Sequence, residues 1–164
     1  MNILTHTILL VEDDPNDVFL MQRALRKAKL VNPVQVVEDG EKALAYLEGQ
    51  GPYADRALYP LPVLILLDLK LPRKSGLEVL AWLRQQPGLR RIPVVVLTSS
   101  KEHADVNRAY DLGSNSYLVK PVGLEEMVEL VKTLNLYWMI LNEKPESASS
   151  RTVPRTPDSH GVTL

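Results

Sequence analysis

The stretch "VLILLDLKLP", Val63 to Pro72, decides how the chain is read. Its aliphatic run, Val63 to Leu67, stops at a carboxylate, Asp68, after which come Leu69, Lys70, Leu71 and Pro72. A short apolar run without polar alternation fits a strand covered on both faces, as in a parallel sheet. In open α/β sheets the functional crevice lies beyond the carboxyl ends of the strands, where the loops diverge. Asp68 is the first residue to emerge there.

Working outward, "TILLV" (Thr7 to Val11), "VQVV" (Val34 to Val37), "VVVL" (Val94 to Leu97) and "SYLV" (Ser116 to Val119) are further β-branched or aliphatic runs with polar, Pro or Gly borders. They read as four more strands. Helical periodicity fills the intervals at about residues 15–29, 41–48, 75–86, 102–112 and 124–141, with Pro15 where a first helical turn tolerates proline. The order is (βα)5. It implies an α/β three-layer sandwich, with helices on both faces of a mostly parallel five-stranded sheet.

Two segments depart from this regularity. "GQGPYADRALYPLP", Gly49 to Pro62, is a long connection before the third strand and is expected to fold over the surface. Residues 143–164, rich in Ser, Thr and Pro and without aromatics, read as a polar C-terminal tail to a domain of residues 1–142.

Composition excludes several classes. The 164 residues are 45% hydrophobic and 24% charged, which fits one soluble domain with one core. With 19 basic and 20 acidic residues the formal net charge is −1, so nothing favours direct binding of nucleic acid or a membrane surface. The absence of cysteine removes disulfides, thiolate metal sites and Cys nucleophiles. No run approaches the roughly 20 apolar residues that span a bilayer, and a cytoplasmic location is expected.

The residues following the strands carry the chemistry. Glu12-Asp13-Asp14 follow the first, Glu38-Asp39 the second, Asp68 the third, Thr98-Ser99 the fourth and Lys120-Pro121 the fifth. If the first and third strands are neighbours, Glu12, Asp13 and Asp68 converge, with Thr98 and Lys120 beside them. Two like charges about 4 Å apart repel by roughly 4 kcal/mol at an effective dielectric near 20, so the cluster calls for a cation. Oxygen ligands without Cys or convergent His favour a hard divalent ion, and few carboxylates with room for water and a phosphate oxygen suit Mg2+. A metal, an ammonium and a hydroxyl around one carboxylate are what an aspartyl nucleophile needs to accept a phosphoryl group.

"ILLVEDD", "ILLDLKLPRKSG", "VVVLTS" and "SYLVKP", in this order and after strands one, three, four and five, resemble the motifs of the response regulator receiver domain of two-component signalling. The resemblance covers about residues 7–142 and implies a flavodoxin-like fold with strand order 2-1-3-4-5. It makes Asp68 the phosphoacceptor and Glu12 and Asp13 the acidic pair that binds Mg2+ with Asp68 and the backbone carbonyl of Lys70. It also implies that Thr98 and Lys120 stabilise the phosphoryl group, that Thr98 and Tyr117 act as the switch pair, and that Lys120-Pro121 holds a cis peptide. The partner it implies is a sensor histidine kinase. "GPYADRALYPLP", "LPRKSGLEVL", "YDLGSNSYLVKPV" and "LYWMIL" further resemble small stand-alone regulators of phytochrome-type kinases.

Ordinary structural roles absorb other residues. Asp14, before Pro15, reads as a helix cap, as does Asp39 before Gly40. Gly76 reads as a position of tight packing or of an unusual backbone angle. His6, His103 and His160 are too scattered for a metal or catalytic set and read as solvated. In the last helix, Met127, Val131, Leu134, Trp138 and Leu141 form a core-facing stripe, but Leu136 to Leu141 is apolar all round. That excess suggests a homodimer through the last strand and helix, with Tyr137, Trp138 and Leu141 in the interface.

The first reading of function is therefore a receiver module that catalyses only its own phosphotransfer and dephosphorylation, and signals through a dimer or a downstream protein partner. A phosphorelay intermediate is the nearby alternative. An aspartyl-nucleophile phosphatase is disfavoured because the residue two after Asp68 is Lys70, where such enzymes carry a general acid. A nucleotide or flavin binder lacks the glycine-rich loop.

Overall fold

A computed structural model describes residues 6–99 and 102–141. Five parallel strands, β1 (Ile8–Val11), β2 (Val34–Val37), β3 (Leu64–Leu67), β4 (Val94–Thr98) and β5 (Ser116–Val119), form one sheet of order β2-β1-β3-β4-β5. Between and after them lie α1 (Pro15–Lys27), α2 (Gly40–Glu48), α3 (Gly76–Arg84), α4 (His103–Asp111) and α5 (Leu124–Leu141). The flavodoxin-like order and (βα)5 alternation are as expected, with β4 one residue longer than its aliphatic run so that Thr98 belongs to the strand.

Period-2 alternation divides the central strands between two cores. Ile8, Leu10, Leu64, Leu66, Val95 and Leu97 pack against Met21, Ala24 and Leu25 of α1 and Met127, Val128 and Val131 of α5. On the opposite face Leu9, Val11, Ile65, Leu67 and Val94 meet α2 and α3, while Val96 meets Ala109 of α4. This two-sided burial explains why β1, β3 and β4 lack polar alternation: every residue in them is buried, whereas the edge strands β2 and β5 are mostly half-buried.

The helix starts follow their cap residues. The Asp14 carboxylate accepts from Asn16 N at 2.9 Å, Asp39 accepts from Lys42 N at 2.7 Å, and Ser75 with Glu78 closes a capping box on α3. Asp14 and Asp39 therefore take their expected roles as caps. His103 is exposed, but His6 is half-buried beside β1, a correction to its expected solvation; its carbonyl accepts from the Asn32 side chain at 3.0 Å. His160 lies outside the described residues.

The long connection before β3 does fold over the surface, and its own side chains hold it there. A 3-10 turn at Gly51–Tyr53 brings Tyr53 and Tyr59 against the fully buried Tyr46 ring, with centroids 5.2 and 6.0 Å away. Arg56 donates to the Tyr46 and Leu47 carbonyls at 2.7 and 2.8 Å, tying the loop to the end of α2. The Tyr46 hydroxyl donates to the Pro60 carbonyl at 2.8 Å.

Arg84, at the end of α3, joins the opposite edge. Its guanidinium donates to the carbonyls of Gly113, Arg90 and Ile92 and to Asn115 Oδ1, at 2.6 to 2.9 Å. Removing it leaves several carbonyls without a donor, so Arg84→Ala is expected to lose about 2–4 kcal/mol in urea denaturation. Lysine should recover little of this, because one ammonium cannot span a fork of acceptors. A loss below about 0.5 kcal/mol, within the range of ordinary surface substitutions, would refute the assignment.

Met127 and Val131 of α5 are buried and Leu134 packs against the same core, as the helical stripe requires. The side chains of residues 135–141 lie outside those described, and with them the interface expected at Tyr137, Trp138 and Leu141. Residues 142–164 also lie outside. Among the described residues no helix is long and apolar enough to cross a membrane.

Candidate functional site

Register assembles the site. Val11 pairs with Leu67, so Glu12 and Asp68 leave the sheet side by side. Asp68 N donates to the Val11 carbonyl at 3.1 Å, and Glu12 N donates to the Val37 carbonyl at 3.0 Å. Both continue the alternation of Ile8-Leu10 and Leu64-Leu66, which turns their side chains toward the α1/α5 layer. Lys120 arrives from β5, where its N–H donates to the Thr98 carbonyl at 2.9 Å.

Glu12, Asp13 and Asp68 each offer an oxygen within 4.8 Å of the others. Glu12 and Asp68 are buried, at 3% and 6% exposure, while Asp13 faces solvent. The Lys120 ammonium lies among them, with Nζ 2.6 Å from Glu12 Oε2 and 2.8 Å from Asp68 Oδ2. Its third acceptor is Asp17 Oδ2 at 2.8 Å. Thr98 is fully buried at the end of β4, and Lys70 N donates to Asp68 Oδ1 at 3.3 Å.

Electrostatics separate the two buried carboxyls. Burial pushes Glu12 up to about 7, reinforced by the charge of Asp68 and opposed by Lys120. Burial acts on Asp68 too, but there the hydrogen bond and charge of Lys120, with Thr98 and Glu12, outweigh it and hold the carboxyl below its ordinary value. Lys120 is moved the other way: burial disfavours its charge, and Asp17, Asp68 and Glu12 more than restore it. Asp68 is thus kept as an anion.

The donor set fits a hard divalent cation: three clustered carboxylates, one open to water, in a chain without cysteine. An ion held there by Glu12 would have to displace the Glu12 proton below pH of about 7. Apparent affinity for a divalent ion should accordingly rise with pH up to that point and then level off. Calorimetric titration across this range, in buffers of different ionisation heat, reads both the affinity and the released proton. A flat profile would show that Glu12 does not couple to the ion.

The structure brings together Glu12, Asp13, Asp68, Thr98 and Lys120 as the spacing predicted. Lys70 follows Asp68 with its side chain exposed, and Tyr117 is half-buried against Leu69, Val96 and Ala109. The Lys120–Pro121 peptide is trans, correcting the cis form that the resemblance implied. Trans is the intrinsically preferred isomer of such a bond, and Lys120 Nζ reaches Asp68 from it. Gly76 is the expected close-packing position: a Cβ there would run into the Asp68 carbonyl oxygen.

Sequence reasoning missed Asp17. It reaches Lys120 across 103 positions of chain, and its signal was slight: an acid in the first turn of the helix that begins above the site.

A doubly wound parallel sheet with an acidic cluster, a buried hydroxyl and a lysine at its carboxyl edge defines a receiver-type phosphoacceptor module. The response regulator receiver domain family matches residues 8–132, and the chain belongs to that family. Among its relatives is the response regulator Rcp1 of Synechocystis sp., 43% identical over 132 residues, covering 80% of this chain and 88% of Rcp1. The structure of the phosphorylated cyanobacterial phytochrome response regulator RcpA superposes with a TM-score of 0.78 at 41% identity, covering 86% of this chain and 99% of that one. The Mn(2+)-bound form of Rcp1 gives 0.75, also at 41% identity and with the same coverage.

Proposed function

We propose that Asp68 is the phosphoacceptor of this response regulator, taking its phosphoryl group from a sensor histidine kinase of the phytochrome type. The observation that carries this is the setting of one buried carboxylate: Lys120 Nζ lies 2.8 Å from Asp68 Oδ2, the buried Thr98 ends the neighbouring strand, and Glu12 and Asp13 stand beside it. Likeness to a phosphorylated phytochrome regulator supports the choice of kinase.

In the reaction an oxygen of Asp68 attacks the phosphorus of a phosphohistidine. The P–N bond breaks as the P–O bond forms, and its electron pair returns to the imidazole. Mg2+, held by Glu12, Asp13, Asp68 and the Lys70 carbonyl, supplies neutralising charge when bound, and the Mn(2+)-bound form of a relative supports this class of ion. Lys120 and Thr98 then turn from the carboxylate to the phosphoryl oxygens. With Thr98 drawn toward the phosphoryl group, Tyr117, packed on β5 against Leu69, Val96 and Ala109, changes position and alters the face formed by the last strand and helix.

Output passes through that face to a second copy of the chain, through the region of Tyr137, Trp138 and Leu141, or to a downstream protein in the cytoplasm. A phosphorelay role uses the same chemistry. Catalytic turnover on a small substrate is not favoured, because Lys70 stands where a phosphatase of this kind places its acid.

Incubation with Mg2+ and acetyl phosphate should add one phosphoryl group to the intact mass, and chelation should prevent it. If a control receiver is modified under conditions where this protein is not, the proposal fails.

A further inference from the structure

The Lys120 ammonium is held by three carboxylate oxygens: it donates to Asp17 Oδ2 and Asp68 Oδ2, each at 2.8 Å, and pairs with Glu12 Oε2 at 2.6 Å. Two of these acceptors change during the reaction proposed above. Asp68 acquires the phosphoryl group, and Glu12 turns to the divalent ion. Asp17 does neither, for it stands on α1 outside the carboxylates that cluster within 4.8 Å.

Its position is well fixed. Pro15 opens α1, the Asp14 side chain caps it on Asn16 N at 2.9 Å, and Asp17 lies in the first turn, where a helix favours negative charge. The side chain is 34% exposed, so it holds Lys120 from the solvent side while Glu12 and Asp68 hold it from within.

We propose that Asp17 is a positioning residue that anchors the Lys120 ammonium over Asp68 throughout phosphotransfer and offsets its charge toward the incoming cation. This rests on Asp68 being the phosphoacceptor. Without the anchor, Lys120 has one fewer fixed contact when Glu12 is taken by the ion, and its charge repels that ion more strongly.

The test uses the whole chain with Asp17→Asn, which keeps shape and removes charge, and Asp17→Glu, which keeps charge. Two quantities are measured: affinity for Mg2+ alone by calorimetry, and the initial rate of phosphorylation by acetyl phosphate at saturating Mg2+. For Asp17→Asn the expected result is about fivefold weaker Mg2+ binding and an about tenfold slower rate, with an unchanged urea midpoint. Asp17→Glu should stay within about twofold of wild type in both. Wild-type behaviour of Asp17→Asn in both measurements overturns the proposal, as does Asp17→Glu being impaired equally. If wild type accepts no phosphoryl group but Asp17→Asn still weakens Mg2+ binding, the assignment of Asp68 fails, and with it the anchoring role in phosphotransfer, while the charge-offsetting role stands.

Discussion

Asp68→Asn should abolish phosphorylation, leaving the intact mass of the protein unchanged after incubation with Mg2+ and acetyl phosphate while wild type gains one phosphoryl group. The amide is nearly isosteric, so β3 and its neighbours should fold as before, but it offers no anionic oxygen to attack phosphorus. The neighbouring acids are poorly placed to substitute. Glu12 is pushed up to about 7 and is engaged by Lys120, and Asp13 is exposed and lacks the lysine contact given to Asp68. The expected loss is at least about 10³-fold, the scale on which a nucleophile with its electrostatic support acts. Residual modification of Asp68→Asn at a comparable rate, mapped to Glu12 or Asp13, would show that the acceptor has been misplaced.

Lys120→Met is the second large effect, and it acts on both activity and stability. Phosphorylation should slow about 10²- to 10³-fold, the usual consequence of removing one fixed donor from the developing charge. Stability should fall as well, because Glu12 and Asp68, with side chains only 4% and 7% exposed, lose their cation. Breaking a buried ion pair costs about 3–5 kcal/mol when a charge is left uncompensated, and protonation of the carboxyls should reduce that to roughly 2–3.

The sign with pH follows from Asp68. Its carboxyl is held below the ordinary value in wild type, so it contributes stability above its unfolded-state value that is lost as pH falls through the folded one. The variant lacks that contribution. Its deficit should therefore be greatest at neutral and alkaline pH, shrink toward acid, and shrink also on adding Mg2+. Urea denaturation at several pH values reads this directly, and a deficit independent of both pH and Mg2+ would mean that Lys120 stabilises the fold by packing alone.

Much of this architecture is local in origin. The aliphatic runs of β1, β3 and β4 declare strands buried on two faces, and the acids placed immediately after Val11 and Leu67 must emerge at the carboxyl edge. Cap residues such as Asp14, Asp39 and Ser75 mark helix starts because their oxygens satisfy backbone N–H groups within a few positions. Glu12, Asp13, Asp68, Thr98 and Lys120 could consequently be placed in one crevice from order and spacing.

Other features depend on how elements pack, which no local pattern encodes. Arg84 ties the ends of three segments only because α3 lies against the approaches to β4 and β5. The rings of Tyr46, Tyr53 and Tyr59 gather only when the long connection folds back on α2. Asp17 meets Lys120 only because α1 rests on the face of the sheet to which Glu12 and Asp68 turn.

By itself the sequence determined the (βα)5 sandwich and the carboxylate at the end of β3, since period-2 burial and strand-end placement act over a few residues. Tertiary structure alone decided the sharing of one ammonium among Glu12, Asp17 and Asp68. That outcome balances desolvation, charge and helix packing among segments far apart in the chain, and the balance exists only once the layers have come together.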